Sequence, residues 1–297
     1  MTAQRSGPAP DPAPAPPFSS SAPYAADAHA VALVIRPLVS AADYHACVEL
    51  QREIWGTTFD PVPGTILQVA MHVGGIAFGA FDAHAELDGF VFGLTGIDEE
   101  GKIIHWSHML GVRDRLRDAH VGRRLKECQR QELLRRNIAE MYWTYDPLIA
   151  KNAHLNLNVL GARVVRYVPD MYGNTGSPLH HGLATDRLVV RSDTSQPAHV
   201  ASSTLDPADQ RTPILTARPR ADDPLIGVGG ATPPRLRLEI PSEFAQLLTT
   251  APADARTWHA ATRQHFQWAL DSGYVVIGLR RDPAAGRSFY LLEQVVR

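Results

Sequence analysis

Along residues 31–191 the apolar positions change period several times, and each change marks an element. VALVIRPLV (31–39) is a short apolar run closed at Pro37, the pattern of a strand. In AADYHACVELQREIW, residues Tyr44, Cys47, Val48, Leu50, Ile54 and Trp55 recur at helical spacing, with Ser40 placed to cap the helix and Gly56 to end it. A turn at Pro61–Gly64 leads into a short helical or irregular stretch around Ile66–Met71. Gly74 and Gly75 precede two strands, IAFGAFD and LDGFVFGLTGI, joined by a hairpin at AHAE. IIHWSHMLGV (103–112) reads as a buried strand, RDRLRDAH as a basic turn and VGRRLKECQRQELLRRNI as a helix. AEMYWTYDP (139–147) alternates large side chains and stops at Pro147, and residues 148–160 predict a helix ending at Gly161. ARVVRYVPDMYG and TDRLVVR add two strands, so the order is β-α-α-β-β-β-α-β-α-β-β, a mixed α/β domain.

Outside that block the pattern weakens. Residues 1–30 hold 7 of the 23 prolines and residues 191–235 hold another 7, which sets off a Pro/Ala-rich tail over 1–30, expected to be disordered, and a linker over 192–232. RLRLEIP, a helix from about Ser242 to Ser272, VVIGLRR and SFYLLEQVV then predict an accessory β-α-β-β unit over 233–297. The tail lacks the apolar segment of a secretory signal, and no apolar run approaches the roughly 18 residues of a membrane helix. With Cys47 and Cys128 the sole cysteines and no CxxC pairing, neither a disulfide framework nor a metal site is expected, and a reducing cytoplasm fits.

A net charge of −2 argues against nucleic acid as a partner. The charge is uneven, however: Arg113 to Arg136 holds nine basic residues against four acids. A strand ending in a basic turn that opens a helix is an anion site, because the first N–H groups of the helix have no intrahelical acceptors. A solvated basic helix is the competing reading.

Leu110-Gly111-Val112 followed by Arg117-Asp118-Ala119-His120-Val121-Gly122 resembles the acyl-CoA signature of the GNAT N-acetyltransferase superfamily, and TYDPLIAKNAHLNLNVLGA resembles a subgroup of predicted acetyltransferases with a C-terminal extension. The resemblance implies a GNAT-like splayed sheet flanked by helices over 31–191, with acetyl-CoA or another acyl-CoA as co-substrate. It implies that the loop backbone from Arg117 through Ala119, His120, Val121 and Gly122 to Arg123 cradles a pyrophosphate. Leu110 and Val112 would pair with pantetheine amides, a backbone N–H near them would polarise the thioester, and Asn152 or Asn156 would contact the cofactor arm; capping and polar packing are the alternative for the two asparagines.

Two positions depart from the family pattern. His120 stands in the place of the first loop glycine, where a Cβ crowds the approach of phosphate. Leu157 stands where many members carry a tyrosine that protonates the leaving thiolate, which leaves Tyr145, Tyr172 or water for that task. An attacking ammonium must also lose a proton, for which His108 and His105 are candidates; odd spacing puts them on opposite faces of their strand, and His108 lies nearer the expected splay. A core histidine is the alternative for His108. Asp146 could serve as base or bind the substrate ammonium, or it could cap the helix near Pro147.

These readings point to transfer of an acetyl or succinyl group from acyl-CoA to the amine of a small molecule, an amino acid being the preferred acceptor by resemblance. The alternatives are a degenerate CoA-binding or interaction protein on the same scaffold and a different acyl-CoA chemistry. No membrane partner is expected. The C-terminal unit has no chemistry of its own and leaves open whether it extends the sheet, covers the acceptor cleft or joins two copies as a homodimer.

Overall fold

Ser40 opens the first helix through a reciprocal cap: its hydroxyl accepts from the Asp43 N–H at 3.1 Å, and the Asp43 carboxylate accepts from the Ser40 N–H at 3.1 Å, at the start of α1 (Ala41–Trp55). The computed structural model describes residues 33–116, 119–173, 182–197, 201–220, 223 and 233–295. The expected tail over 1–30 lies outside them, as do Arg117 and Asp118 of the basic turn.

Seven strands make the first sheet: β1 (Val34–Pro37), β2 (Ile76–Phe81), β3 (Leu87–Ile97), β4 (Ile103–Val112), β5 (Glu140–Tyr145), β6 (Arg163–Val168) and β7 (Arg187–Asp193). Their order is β1-β2-β3-β4-β5-β7-β6, antiparallel throughout except between β4 and β5. The helix α1 and its neighbour α2 (Gly64–His72) share one apolar cluster with Phe90 and Phe92 of β3, whereas α3 (Val121–Arg135) shares another with Val91. Alternation along β3 thus assigns the two faces of the sheet, as period-2 side-chain geometry requires. This is the mixed, helix-flanked sheet that the sequence implied.

The helix expected over 148–160 forms as α4 (Ala150–Ala153) and passes directly into a π-helical turn at His154–Val159. The described part of 192–232 carries structure: α5 (Pro207–Gln210), capped by Asp206, and β8 (Ile214–Leu215), which pairs in parallel with β9 (Arg235–Pro241). With β10 (Tyr274–Asp282) and β11 (Arg287–Gln294) they form a second sheet in the order β10-β11-β9-β8. The helix expected from Ser242 to Ser272 is broken into α6 (Phe244–Thr250) and α7 (Pro252–Asp271), because Ala251 adopts φ −146° and ψ 69° and Pro252 begins a new first turn. Leu33–Arg297 forms one compact unit, in which Leu236, Leu238, Tyr290 and Leu292 of the second sheet join the same apolar cluster as Val121 and Leu125 of α3.

Candidate functional site

The one parallel neighbour pair of the first sheet also has its shortest ladder. β4 and β5 are in register at His105 with Met141 and at Trp106 with Tyr142, and beyond these the strands part. A bulge in β4 accompanies the parting: Met109 lies opposite Phe92 and Ser107 opposite Gly93, so His108 is the extra residue. The bulge reverses the alternation of the strand. His105 and Ser107 face α3 before it, and Leu110 and Val112 pack towards α3 after it, while Met109 joins the α1 and α2 cluster.

Gly122 in the first turn of α3 stands against the far end of β4, with Leu110 and Val112 at 3.5 and 3.9 Å from the position a Cβ would take. Among the described residues no side chain caps the N-terminus of α3, and its first turn holds no acid. His120 holds the N-cap position with φ 57° and ψ 13°, the left-handed conformation natural to glycine, and is exposed. The backbone geometry of a glycine loop is therefore kept by a histidine. Ala119 and Val121 flank it, Ala119 bonding through its N–H to Leu116 O at 3.2 Å.

Much of the basic charge around this turn is compensated. Arg113 and Arg115 are tied to the buried Asp88, Arg113 also to Glu53 and Glu86, Arg130 to Glu127, and Arg135 and Arg136 to Glu132. Arg123 and Arg124 lie within the first turn of α3 itself, and Arg124 donates to Leu33 O at 3.1 Å.

Where the strands part, the α3 face carries a buried polar chain. Lys126 Nζ donates to Ser107 Oγ at 2.7 Å, and Ser107 Oγ donates to Gln129 Oε1 at 2.7 Å. The Gln129 amide lies 3.0 Å from His105 Nε2, and His105 Nδ1 lies 3.0 Å from Thr95 Oγ1, whose hydroxyl donates to Gly74 O at 2.7 Å. Since Thr95 spends its proton on Gly74, His105 donates through Nδ1 and accepts at Nε2, and every proton in the chain points away from Lys126. Burial and the nearby Lys126 and Arg136 charges push the His105 pKa down to about 3. Room for the ring comes from Gly93: a Cβ there would stand 2.2 Å from His105 Nε2.

His108 is exposed and lies edge-on to Phe92, 6.3 Å between ring centroids, so it sits on the α1 and α2 face, opposite His105. Desolvation by the surrounding protein lowers its pKa. Tyr145 is buried beside Tyr290 of the second sheet, and desolvation raises its pKa. Asp146 accepts from Leu148 N at 2.9 Å and lies 3.9 Å from Arg187, a turn-forming role. Asn152 is exposed; Asn156 is buried, accepts from Trp143 Nε1 at 2.7 Å and donates to Asn152 O at 2.8 Å. Tyr172 lies 3.1 Å from Thr144 Oγ1 on the opposite face of β5 from Trp143.

Lys126 and Gln129 escaped the sequence reading. Gln129 was visible in principle, since it sits four residues from both Leu125 and Leu133 on the buried stripe of α3. Lys126 was not, because its burial depends on strands distant in sequence. Among the described residues no group of three acidic, histidine or cysteine side chains could hold a metal ion, and no helix is long and apolar enough to cross a membrane.

No family model matches the chain, and no curated protein matches it. Solved structures similar to it include NAA60 of Arabidopsis thaliana with acetyl-CoA, at 16% identity and a TM-score of 0.45, covering 55% of this chain and 99% of that one. The ribosomal-protein-S18-alanine N-acetyltransferase of Escherichia coli is 15% identical with a TM-score of 0.43, over 59% of this chain and 99% of that one. An aminoglycoside 6'-N-acetyltransferase complexed with coenzyme A is 17% identical with a TM-score of 0.40, over 54% and 97%.

Proposed function

We propose that this chain is an acyl-CoA-dependent N-acyltransferase of the GNAT type, moving an acetyl or succinyl group to the amine of a small molecule. The observation that carries the reading is the parting of β4 from β5 after Trp106 and Tyr142, with the N-terminus of α3 standing against the far end of β4 at Leu110 and Val112. A parted pair of parallel strands leaves backbone donors and acceptors without a ladder partner, so an extended, amide-bearing arm can complete the edge of either strand. The adjoining helix N-terminus favours negative charge, and the left-handed His120 turns the loop as a glycine would. The residues present therefore suit a cofactor made of a pyrophosphate and a pantetheine arm.

In this reading the backbone from Ala119 through His120, Val121 and Gly122 to Arg123 holds the pyrophosphate. The β4 edge at Leu110 and Val112 holds the arm, and a backbone N–H there stabilises the developing oxyanion, an interaction worth roughly 3 kcal/mol. His108, on the opposite face from α3, takes the proton of the attacking amine. Attack is direct, in a ternary complex. The acceptor class, including an amino acid, rests on the sequence resemblance.

Titration calorimetry with CoA, acetyl-CoA and succinyl-CoA tests the proposal. Binding in the micromolar range by at least one is expected; a dissociation constant above about 1 mM for all three overturns it.

A further inference from the structure

Lys126 stands one residue beyond the last pairing of both strands. Its Nζ is 2.7 Å from Ser107 Oγ on β4 and 4.1 Å from the centre of the Trp143 ring on β5, and the final pair is Trp106 with Tyr142. A lysine that is 4% exposed normally faces a carboxylate. Among the described residues none lies within ion-pair distance of Nζ. Glu127, next on the helix, is held by Arg130 at 2.9 and 2.6 Å and by Gln131 at 2.8 Å, and Arg130 reaches on to Thr194 O. From β4 the facing groups are Ser107 and, beyond Gln129, the neutral His105; from β5 they are Met141 and Trp143; from β7 it is Ser192. Burial without a counterion pushes the Lys126 pKa down to about 7.

The protons at this point of the gap are otherwise spent. Ser107 gives its hydrogen to Gln129, Gln129 to His105, and the Trp143 indole gives its own to Asn156. Lys126 also borders a shallow groove lined by Glu127, Arg130, Met141, Trp143, Leu160 and Ser192, which opens to solvent. One side chain thus touches both the parting of the strands and a route to water.

Resting on the acyl-transfer reading above, we infer that Lys126 is the proton donor to the sulfur leaving group in the gap between β4 and β5. The amine nitrogen bonds to the acyl carbon, the carbon–sulfur bond breaks, and its electron pair goes to sulfur. The Lys126 ammonium gives one proton to that sulfur and becomes neutral. The amine proton leaves by way of His108, and Lys126 regains a proton from water in the groove. Transfer from an ammonium of pKa about 7 to a thiolate whose conjugate acid has a pKa of about 8.5 is downhill.

The test compares wild type, Lys126→Arg and Lys126→Met. Lys126→Arg keeps the charge but cannot release a proton at working pH. CoA binding is measured by calorimetry, and acetyl transfer is followed from pH 6 to 9. The wild-type rate is expected to fall above pH 7 as Lys126 loses its charge. In the arginine variant CoA still binds, and the rate drops on the order of 100-fold with the alkaline limb gone. CoA binding with the same rate and the same pH profile in wild type and Lys126→Arg overturns the role of Lys126 and leaves the acyl-transfer reading standing. Absence of CoA binding to wild type overturns that reading itself. If Lys126→Met fails to fold, the arginine variant alone decides.

Discussion

Asn158 and Leu279 clasp each other across the two sheets: the Leu279 N–H donates to Asn158 Oδ1 at 2.9 Å, and the Asn158 amide donates to Leu279 O at 2.9 Å. Asn158 lies in the π-helical turn after α4, and Leu279 lies in β10 just past the bulge between Val276 and Gly278. The same amide also donates to Ser202 O at 2.9 Å. A side chain thereby serves the backbone of the second sheet as a neighbouring strand would.

Asn158→Ala leaves the buried Leu279 N–H without this partner, at a cost of about 1–3 kcal/mol, whereas the Leu279 C=O keeps the Arg280 guanidinium at 3.1 Å. Urea unfolding is expected to show a loss of about 1–3 kcal/mol. A loss below about 0.5 kcal/mol would mean that water replaces the asparagine.

Gly93→Ala places a methyl 2.2 Å from His105 Nε2 and 2.7 Å from Trp106 O, the latter being backbone that cannot turn aside. Destabilisation of about 3 kcal/mol is expected. In a His105→Ala background the ring clash is gone, so the added cost of the glycine change should be smaller by 1 kcal/mol or more, a coupling read from the double-mutant cycle.

His120→Gly relieves a left-handed backbone at φ 57°, which costs an L residue about 1–2 kcal/mol, offset in part by the freedom of glycine in the unfolded chain. A net gain of about 0.5–1 kcal/mol in thermal unfolding is expected. Unchanged or lower stability would mean that the imidazole makes contacts worth as much as the strain.

Acid should weaken the fold through His105. Its folded pKa, about 3, lies below the ordinary value of 6.5, so the unfolded chain binds the proton first as pH falls. The contribution of neutral His105 is complete above pH 6.5 and is lost between 6.5 and about 3, with a slope of up to about 1.4 kcal/mol per pH unit. Stability curves of wild type and His105→Gln at pH 4 to 7 check this: the glutamine variant, which cannot titrate, should show the shallower slope.

His108→Ala should slow acyl transfer by about 100-fold and remove the acid limb of the rate profile. The lowered pKa of His108 keeps it neutral, and thus able to accept a proton, at neutral pH. A rate unchanged from pH 6 to 9 would take His108 out of the mechanism.

Much of this molecule can be read from local spacing. The Ser40 cap, the strand at 103–112, the glycine stops and the helix opened by Val121-Gly122 follow from propensities and from steric rules acting within a few residues. Part of what resisted is equally local in origin. Nothing in TTAPADAR forbids a continuous helix except Pro252, whose first-turn tolerance hides the break, and a π-helical turn at His154–Val159 has no signature in spacing. The basic stretch looked like free charge because an arginine's acid partner, such as Asp88 for Arg115, can lie far away in sequence.

By itself, then, the sequence determined the order of elements over 31–191, the face each residue takes along an unbroken helix or strand, and the histidine at the turn into α3. Tertiary structure decided which faces meet. Ser107, Lys126 and Trp143 come from a strand, a helix and a second strand, and each sits at an unremarkable period of its own element. Their meeting depends on β4 and β5 being parallel neighbours with α3 packed over the end of their pairing, and a buried lysine acquires its altered acidity from the solvent its neighbours exclude.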